Sequence, residues 1–180
     1  MLFLLALFPS IQAGIDVQLP GACGLPMDQG KDCGNATIRY YMDKSRLSCF
    51  PFKYLGCGGN ENNYPTESDC FRCMPMDLNF CPGNTDPVKD VNGSSYCNFQ
   101  QKCAPGSQCR MGFAVGLCCS NESIKKESAD SSPICPQSKE VVKTQRFGFD
   151  SILQGLNCSD DFCPRGTSCH KGEFISYCCK

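Results

Sequence analysis

Cysteine carries most of the chemistry this chain can offer. Eighteen of its 180 residues are cysteine, and a thiol can couple to another thiol, ligate a metal or act as a nucleophile. At this density the coupled form is expected, because short cysteine-dense chains are secreted domains that staple themselves with disulfides. Eighteen is even, and the cysteines fall into three groups of six: Cys23 to Cys73, Cys81 to Cys119, and Cys135 to Cys179. That division argues for three modules, each closed on itself. Zinc is the rival use, but the second and third groups contain no Cys-x2-Cys knuckle pair. An oxidising compartment favours bridges, so neither a metal nor another cofactor is expected.

The remaining reactive residues are few. His170 is the one histidine, lodged between Cys169 and Lys171 and read as a surface residue. No Gly-x-Ser-x-Gly turn, phosphate loop or catalytic cysteine setting accompanies it, so no enzyme is expected. Four Asn-x-Ser/Thr sequons offer glycan acceptors at Asn35, Asn92, Asn121 and Asn157. Asn121 is the best placed of them, in a polar stretch, whereas Asn157 lies beside a cysteine expected to be buried. A formal net charge of −1, with both signs interspersed, leaves no electrostatic footprint for nucleic acid or an anionic membrane.

The elements that must position these residues can be read along the chain. MLFLLALF is an apolar run broken at Pro9 and Ser10, with Ala13 before Gly14, and residues 1–13 read as a signal peptide, too short to span a bilayer. In the first group Ile38 to Met42 and Phe50 to Tyr54 are rich in β-branched and aromatic residues and predict a twisted hairpin. Thr66 with Asp69 three residues on predicts the capped start of a short helix through Arg72. Gly56, Gly58 and Gly59 around Cys57 imply two chain segments passing close together. About 50 residues cannot hold a fold by apolar burial alone, so bridges are a necessity here.

The intervals between the first six cysteines are 9, 15, 7, 12 and 2 residues, and six cysteines alone allow 15 connectivities. CGLPMDQG, RYYMD, FPFKYLGCGGN and Asn62-Asn63-Tyr64 make residues 21–73 resemble a Kunitz domain of the pancreatic trypsin inhibitor type. The resemblance implies bridges Cys23 to Cys73, Cys33 to Cys57 and Cys49 to Cys70. It also implies that Asp32, Cys33, Gly34, Asn35, Ala36, Thr37 and Ile38 form an inhibitory loop, with Leu55, Gly56, Cys57 and Gly58 supporting it. Such a loop is offered to a serine endopeptidase as if it were substrate, with Gly34–Asn35 as the scissile bond, and preorganisation lowers the cost of binding.

Four departures from the family pattern bear on activity. The Cys23 to Cys33 interval is one residue longer and the Cys70 to Cys73 interval one shorter than usual. Gly34 stands where a Lys, Arg or bulky residue normally fills the primary pocket, and it would leave a trypsin-like acidic pocket without its counter-charge. Asn35-Ala36-Thr37 is a sequon across the contact loop. These features predict a weak or non-inhibitory member of the family, acting at best on an elastase-like enzyme with a small pocket rather than a trypsin-like one.

The second and third groups are an internal duplication. Cys103-x5-Cys109-x8-Cys118-Cys119 recurs as Cys163-x5-Cys169-x8-Cys178-Cys179, and APGSQC matches PRGTSC. Residues 80–119 and 134–180 resemble lustrin-type cysteine-rich repeats. Adjacent cysteines form a strained ring when joined to each other, so each vicinal cysteine is expected to bridge elsewhere. Residues 120–133, with Lys125-Lys126, read as a solvated linker, and Gln137 to Leu156 as an exposed loop.

The fold expected is thus small and disulfide-rich: a Kunitz α+β module, a twisted hairpin with a short C-terminal helix, followed by two stapled repeats. The function expected is a secreted extracellular serine protease inhibitor. A non-inhibitory matrix or cuticle protein, possessing matrix protein partners, is the main alternative. Channel or receptor blocking is a third reading, which would call for an exposed basic and aromatic patch.

Overall fold

Alternating side chains build the first element. Strands β1 (Lys31–Asp43) and β2 (Ser48–Cys57) pair antiparallel, with Tyr41 opposite Phe50 and Met42 opposite Cys49. Because successive residues face opposite sides, the hairpin serves two cores. Met42 and Cys49 cluster with Cys70 and Cys73 on one face; Tyr41, Phe50 and Phe52 cluster on the other. The computed structural model describes residues 17–74, 79–113, 115–146 and 148–180; the expected signal peptide lies outside them. Among the described residues no helix is long and apolar enough to cross a membrane.

Asp43 shapes the hairpin turn, its carboxylate accepting the Arg46 N–H at 2.8 Å and the Ser45 hydroxyl at 2.6 Å. Leu47 follows at φ 50° and is fully buried, so apolar burial offsets its unfavourable backbone. Asn62, also fully buried, ties the hairpin to the preceding loop. Its Oδ1 accepts the Met42 N–H at 2.9 Å, and its Nδ2 donates to the carbonyls of Leu25 and Met42. A buried amide is tolerated because these bonds satisfy it.

Thr66 caps the helix as its side chain accepts the Asp69 N–H at 3.1 Å. Helix α1 (Glu67–Cys70) is a single turn, and Phe71–Cys73 continues it as a 3-10 turn. The tighter pitch brings residues three apart into line. Two intervening residues therefore suffice for Cys70 and Cys73 to face the hairpin side, where Cys70 meets Cys49 and Cys73 meets Cys23. The third bridge of the group is Cys33 to Cys57. These bridges span 50, 21 and 24 residues, and each contributes about 2–4 kcal/mol by restricting the unfolded chain.

The later groups share one pattern. Cys81–Cys119, Cys97–Cys109 and Cys103–Cys118 join first to sixth, second to fourth and third to fifth. Cys135–Cys179, Cys158–Cys169 and Cys163–Cys178 do the same. Each vicinal cysteine thus bridges to a different partner. Strands β3 (Tyr96–Cys97), β4 (Ser107–Met111) and β5 (Gly116–Ser120) form one sheet with β5 central.

The stretch read as a linker is a helix, α2 (Asn121–Ser131). Ser120 caps it by accepting the Ser123 N–H at 3.0 Å, and Glu122 pairs with Lys126 one turn on. Arg110 of β4 pairs with Glu127 at 2.6 Å. Gln137 to Leu156, expected as an exposed loop, instead holds a hairpin of β6 (Lys143–Arg146) and β7 (Phe149–Ile152), then β8 (Gln154–Gly155). Arg146 reaches Glu67 of the first group at 2.8 Å. Strands β9 (Ser168–Lys171) and β10 (Ser176–Cys179) complete a sheet with β8, β10 central.

The groups pack together. Leu156 and Ile175 cover Tyr41, Phe50 and Phe52. Asp130 of α2 accepts the N–H groups of Glu173 and Phe174 at 2.7 and 2.8 Å.

Candidate inhibitory loop

Between Asp32 and Thr37 the hairpin register breaks. Asp32 lies opposite Gly56 and Thr37 opposite Tyr54, so residues 33–36 face Leu55 alone and arch outward. Every residue from Lys31 to Ile38 is exposed. The sequence-predicted loop residues therefore share one surface, and the supporting residues Leu55 to Gly58 run beneath them.

Glycine makes this arrangement possible. A Cβ at Gly56 would stand 3.0 Å from Cys33 Sγ and 3.1 Å from the Asn35 carbonyl oxygen, closer than the loop can approach with a side chain present. The Cys33–Cys57 bridge fixes the same contact covalently, with its Cα atoms 5.9 Å apart. The support is braced in turn. Leu55 N–H donates to the Gln29 carbonyl at 2.8 Å, and the Tyr54 hydroxyl donates to the Gly58 carbonyl at 2.9 Å. A Cβ at Gly30 would lie 2.3 Å from the Cys57 carbonyl oxygen.

Gly34 has φ +88°, and its N–H donates to Asp32 Oδ1 at 2.9 Å. Position and type were legible in the sequence; this turn was not. An Asp two residues before a Gly is its signal. A Cβ at Gly34 would meet nothing within 4 Å, so backbone conformation is what favours glycine there.

A second feature was also invisible in the sequence. Ala36, Thr37 and Ile38 form one wall of a groove of about 480 Å³ whose other wall comes from the third cysteine group, Asp161 and Pro164 to Thr167 among it. Lys53, opposite Ile38 on the hairpin, pairs with Asp161 at 2.5 Å. The Tyr41 hydroxyl donates to Asp160 Oδ2 at 3.4 Å. Burial pushes the Tyr41 hydroxyl pKa upward, and the neighbouring Asp160 charge adds to the effect. Burial likewise raises the Asp160 carboxyl, against hydrogen bonds from Asn157, Ser159 and Tyr41 that pull it down.

All four sequon asparagines are exposed. Asn121 opens α2 rather than lying in a linker. Cys158 beside Asn157 is exposed as well, not buried as expected. His170 is partly buried, accepts or donates one hydrogen bond with Ser168 Oγ at 2.9 Å, and stacks on Tyr177. The sulfurs of Cys97, Cys103 and Cys118 lie within 4.8 Å of one another, but each is already in a bridge and has no thiolate to give a metal.

The sequence profile of the Kunitz/Bovine pancreatic trypsin inhibitor domain matches residues 22–74. A BPTI/Kunitz inhibitor domain-containing protein of Caenorhabditis elegans is 33% identical over 162 residues, covering 88% of this chain and 89% of its own. Major allergen Ani s 1 of Anisakis simplex is 30% identical over 167 residues, covering 88% of this chain and 86% of its own. Kunitz-type serine protease inhibitor bitisilin-3 of Bitis gabonica is 30% identical over 113 residues, covering 63% of this chain and 70% of its own. Both nematode matches run well past the Kunitz domain into the later cysteine groups, and the chain belongs to the BPTI/Kunitz inhibitor domain-containing proteins.

Proposed function

We propose that this chain is a secreted inhibitor of serine endopeptidases that offers Asp32 to Ile38 as a substrate-like loop, with Gly34–Asn35 in the scissile position and Leu55 to Gly58 as its brace. The observation that carries this reading is the Cys33–Cys57 bridge, which holds a fully exposed loop against Gly56. A loop held that way loses little freedom on binding. Similarity to bitisilin-3, a serine protease inhibitor by name, supports the same class.

Small side chains set the target. Gly34 fills no deep pocket and Ala36 adds only a methyl, which suits an elastase-like enzyme better than a trypsin-like one. The left-handed Gly34 backbone argues for weak inhibition, because pairing with an enzyme's strand needs an extended chain. A glycan on exposed Asn35 would stand over the scissile position and act as a gate. Inhibition of a trypsin, chymotrypsin and elastase panel by the secreted protein, before and after N-glycan removal, tests the reading.

One observation favours a second reading, a non-inhibitory extracellular matrix or interaction protein. The second cysteine group, of proposed lustrin type, leaves Val91, Phe99 and Phe113 more than nine-tenths exposed, and large exposed apolar side chains mark contact surfaces when they gather. Retention of the protein in an insoluble extracellular fraction until reduction, without protease inhibition, would select it.

A further inference from the structure

Among the described residues, the third cysteine group shares a groove with the C-terminal half of the contact loop. Ala36, Thr37 and Ile38 lie C-terminal to the Gly34–Asn35 bond, and they are the residues that share the groove with Pro164 to Thr167. An enzyme seated on a substrate-like loop covers residues on both sides of the bond, with roughly 800 Å² buried on each partner. One wall of the groove, Ala36 to Ile38, is made of the loop residues such an enzyme would cover.

The far wall is fixed in place. Lys53 to Asp161 and Tyr41 to Asp160 tie it to the hairpin, and Gln29 Nε2, in the segment before β1, donates to the Asp160 carbonyl at 3.3 Å. Within the wall, Cys163 is bridged to Cys178 and Cys158 to Cys169. Thr167 donates its N–H and its hydroxyl to the Pro164 carbonyl at 3.2 and 2.7 Å, and Gly166 takes φ +82°. Pro164 to Thr167 is therefore a hydrogen-bonded turn with Arg165 at its tip. Arg165 is exposed and forms no ion pair among the described residues. Lys53 and Asp161 neutralise each other, which leaves Arg165 as the uncompensated charge of the groove.

We propose that the Pro164 to Thr167 turn is a second contact site for the enzyme bound on the Kunitz loop: the groove takes a surface loop of the protease, and Arg165 meets a carboxylate on it. This rests on the inhibitor reading and assigns specificity to a residue outside the Kunitz domain. The physical need is plain, since Gly34 supplies no anchoring side chain, whereas an interfacial arginine on a preorganised turn supplies both contact and steering.

The test uses the full-length secreted protein and its Arg165→Glu and Arg165→Ala variants, with thermal melts to check that an exposed turn substitution leaves the fold intact. Association rates are measured against the protease panel at low and high ionic strength. For an enzyme that wild type inhibits, Arg165→Glu should slow association about tenfold at low salt, Arg165→Ala less, and the differences should shrink at high salt. Equal rates for all three forms, or faster association of the Glu variant, would overturn this second site and leave the inhibitor reading standing. A wild-type protein that inhibits no enzyme of the panel would overturn both.

Discussion

Asp32 Oδ1 accepts the backbone N–H of Gly34 at 2.9 Å, and the turn so closed holds Gly34 at φ +88° in the middle of the exposed loop. Restoring a basic side chain at this position should therefore not restore trypsin inhibition by itself. A left-handed non-glycine residue costs about 1–2 kcal/mol, and Asp32 continues to favour that conformation. We expect Gly34→Lys alone to inhibit trypsin weakly and Asp32→Ala/Gly34→Lys to inhibit it about tenfold more tightly. Equal inhibition constants for the two would show that the turn imposes nothing on the loop.

Asn35 follows Gly34 and is exposed within its sequon. Asn35→Gln should reduce the intact mass of the secreted protein by one glycan and tighten inhibition of a small-pocket protease. Mass spectrometry and inhibition constants on the same preparations check both halves. An unchanged mass would mean that Asn35 carries no glycan and gates nothing.

Asp130 links α2 to the third cysteine group. It is buried, and its carboxylate accepts two N–H groups from the Glu173–Phe174 turn. Hydrogen bonds to a charged group contribute about 1.5–3 kcal/mol each, so Asp130→Ala should lower the melting temperature of the oxidised protein by several degrees. Gly172→Ala should mimic it, because its Cβ would sit 2.1 Å from Asp130 Oδ1. Differential scanning calorimetry with the bridges intact measures both; an unshifted transition for both variants would contradict the role.

Asp160 and Glu67 give the fold a pH signature. Burial raises both carboxyls, for Glu67 against the opposing pull of Arg146. A carboxyl raised in the folded state contributes its increment fully below the unfolded value, and loses it as pH rises through the folded value. The melting temperature of Asp160→Asn relative to wild type should therefore increase as pH rises from the ordinary carboxylate range towards neutrality. A difference independent of pH would mean that Asp160 ionises in the fold as it does in water.

How much of this was legible in the sequence depends on where each element gets its stability. The hairpin was legible because Ile38 to Met42 and Phe50 to Tyr54 carry strand residues locally, and α1 because Thr66 and Asp69 mark its start. Helix α2 was not, since residues 120–133 look like a solvated stretch and the helix draws on Asp130 and Glu127, whose partners lie far along the chain. The β6–β7 hairpin was hidden likewise, with Arg146 reaching Glu67 across 79 positions. At the candidate site the loop residues were what the family resemblance implied. The groove against Pro164 to Thr167 required the packing of Leu156 and Ile175 on Tyr41, Phe50 and Phe52, which no local pattern encodes.

Whether the Asp32 to Ile38 loop inhibits a protease is read most directly from the residual activity of trypsin, chymotrypsin and elastase with the secreted protein, before and after enzymatic N-glycan removal. A small-pocket loop under an Asn35 glycan should inhibit the elastase-type enzyme, more strongly when glycans are removed, and affect trypsin least. Absence of inhibition in both states, or trypsin inhibited most tightly, would contradict this expectation.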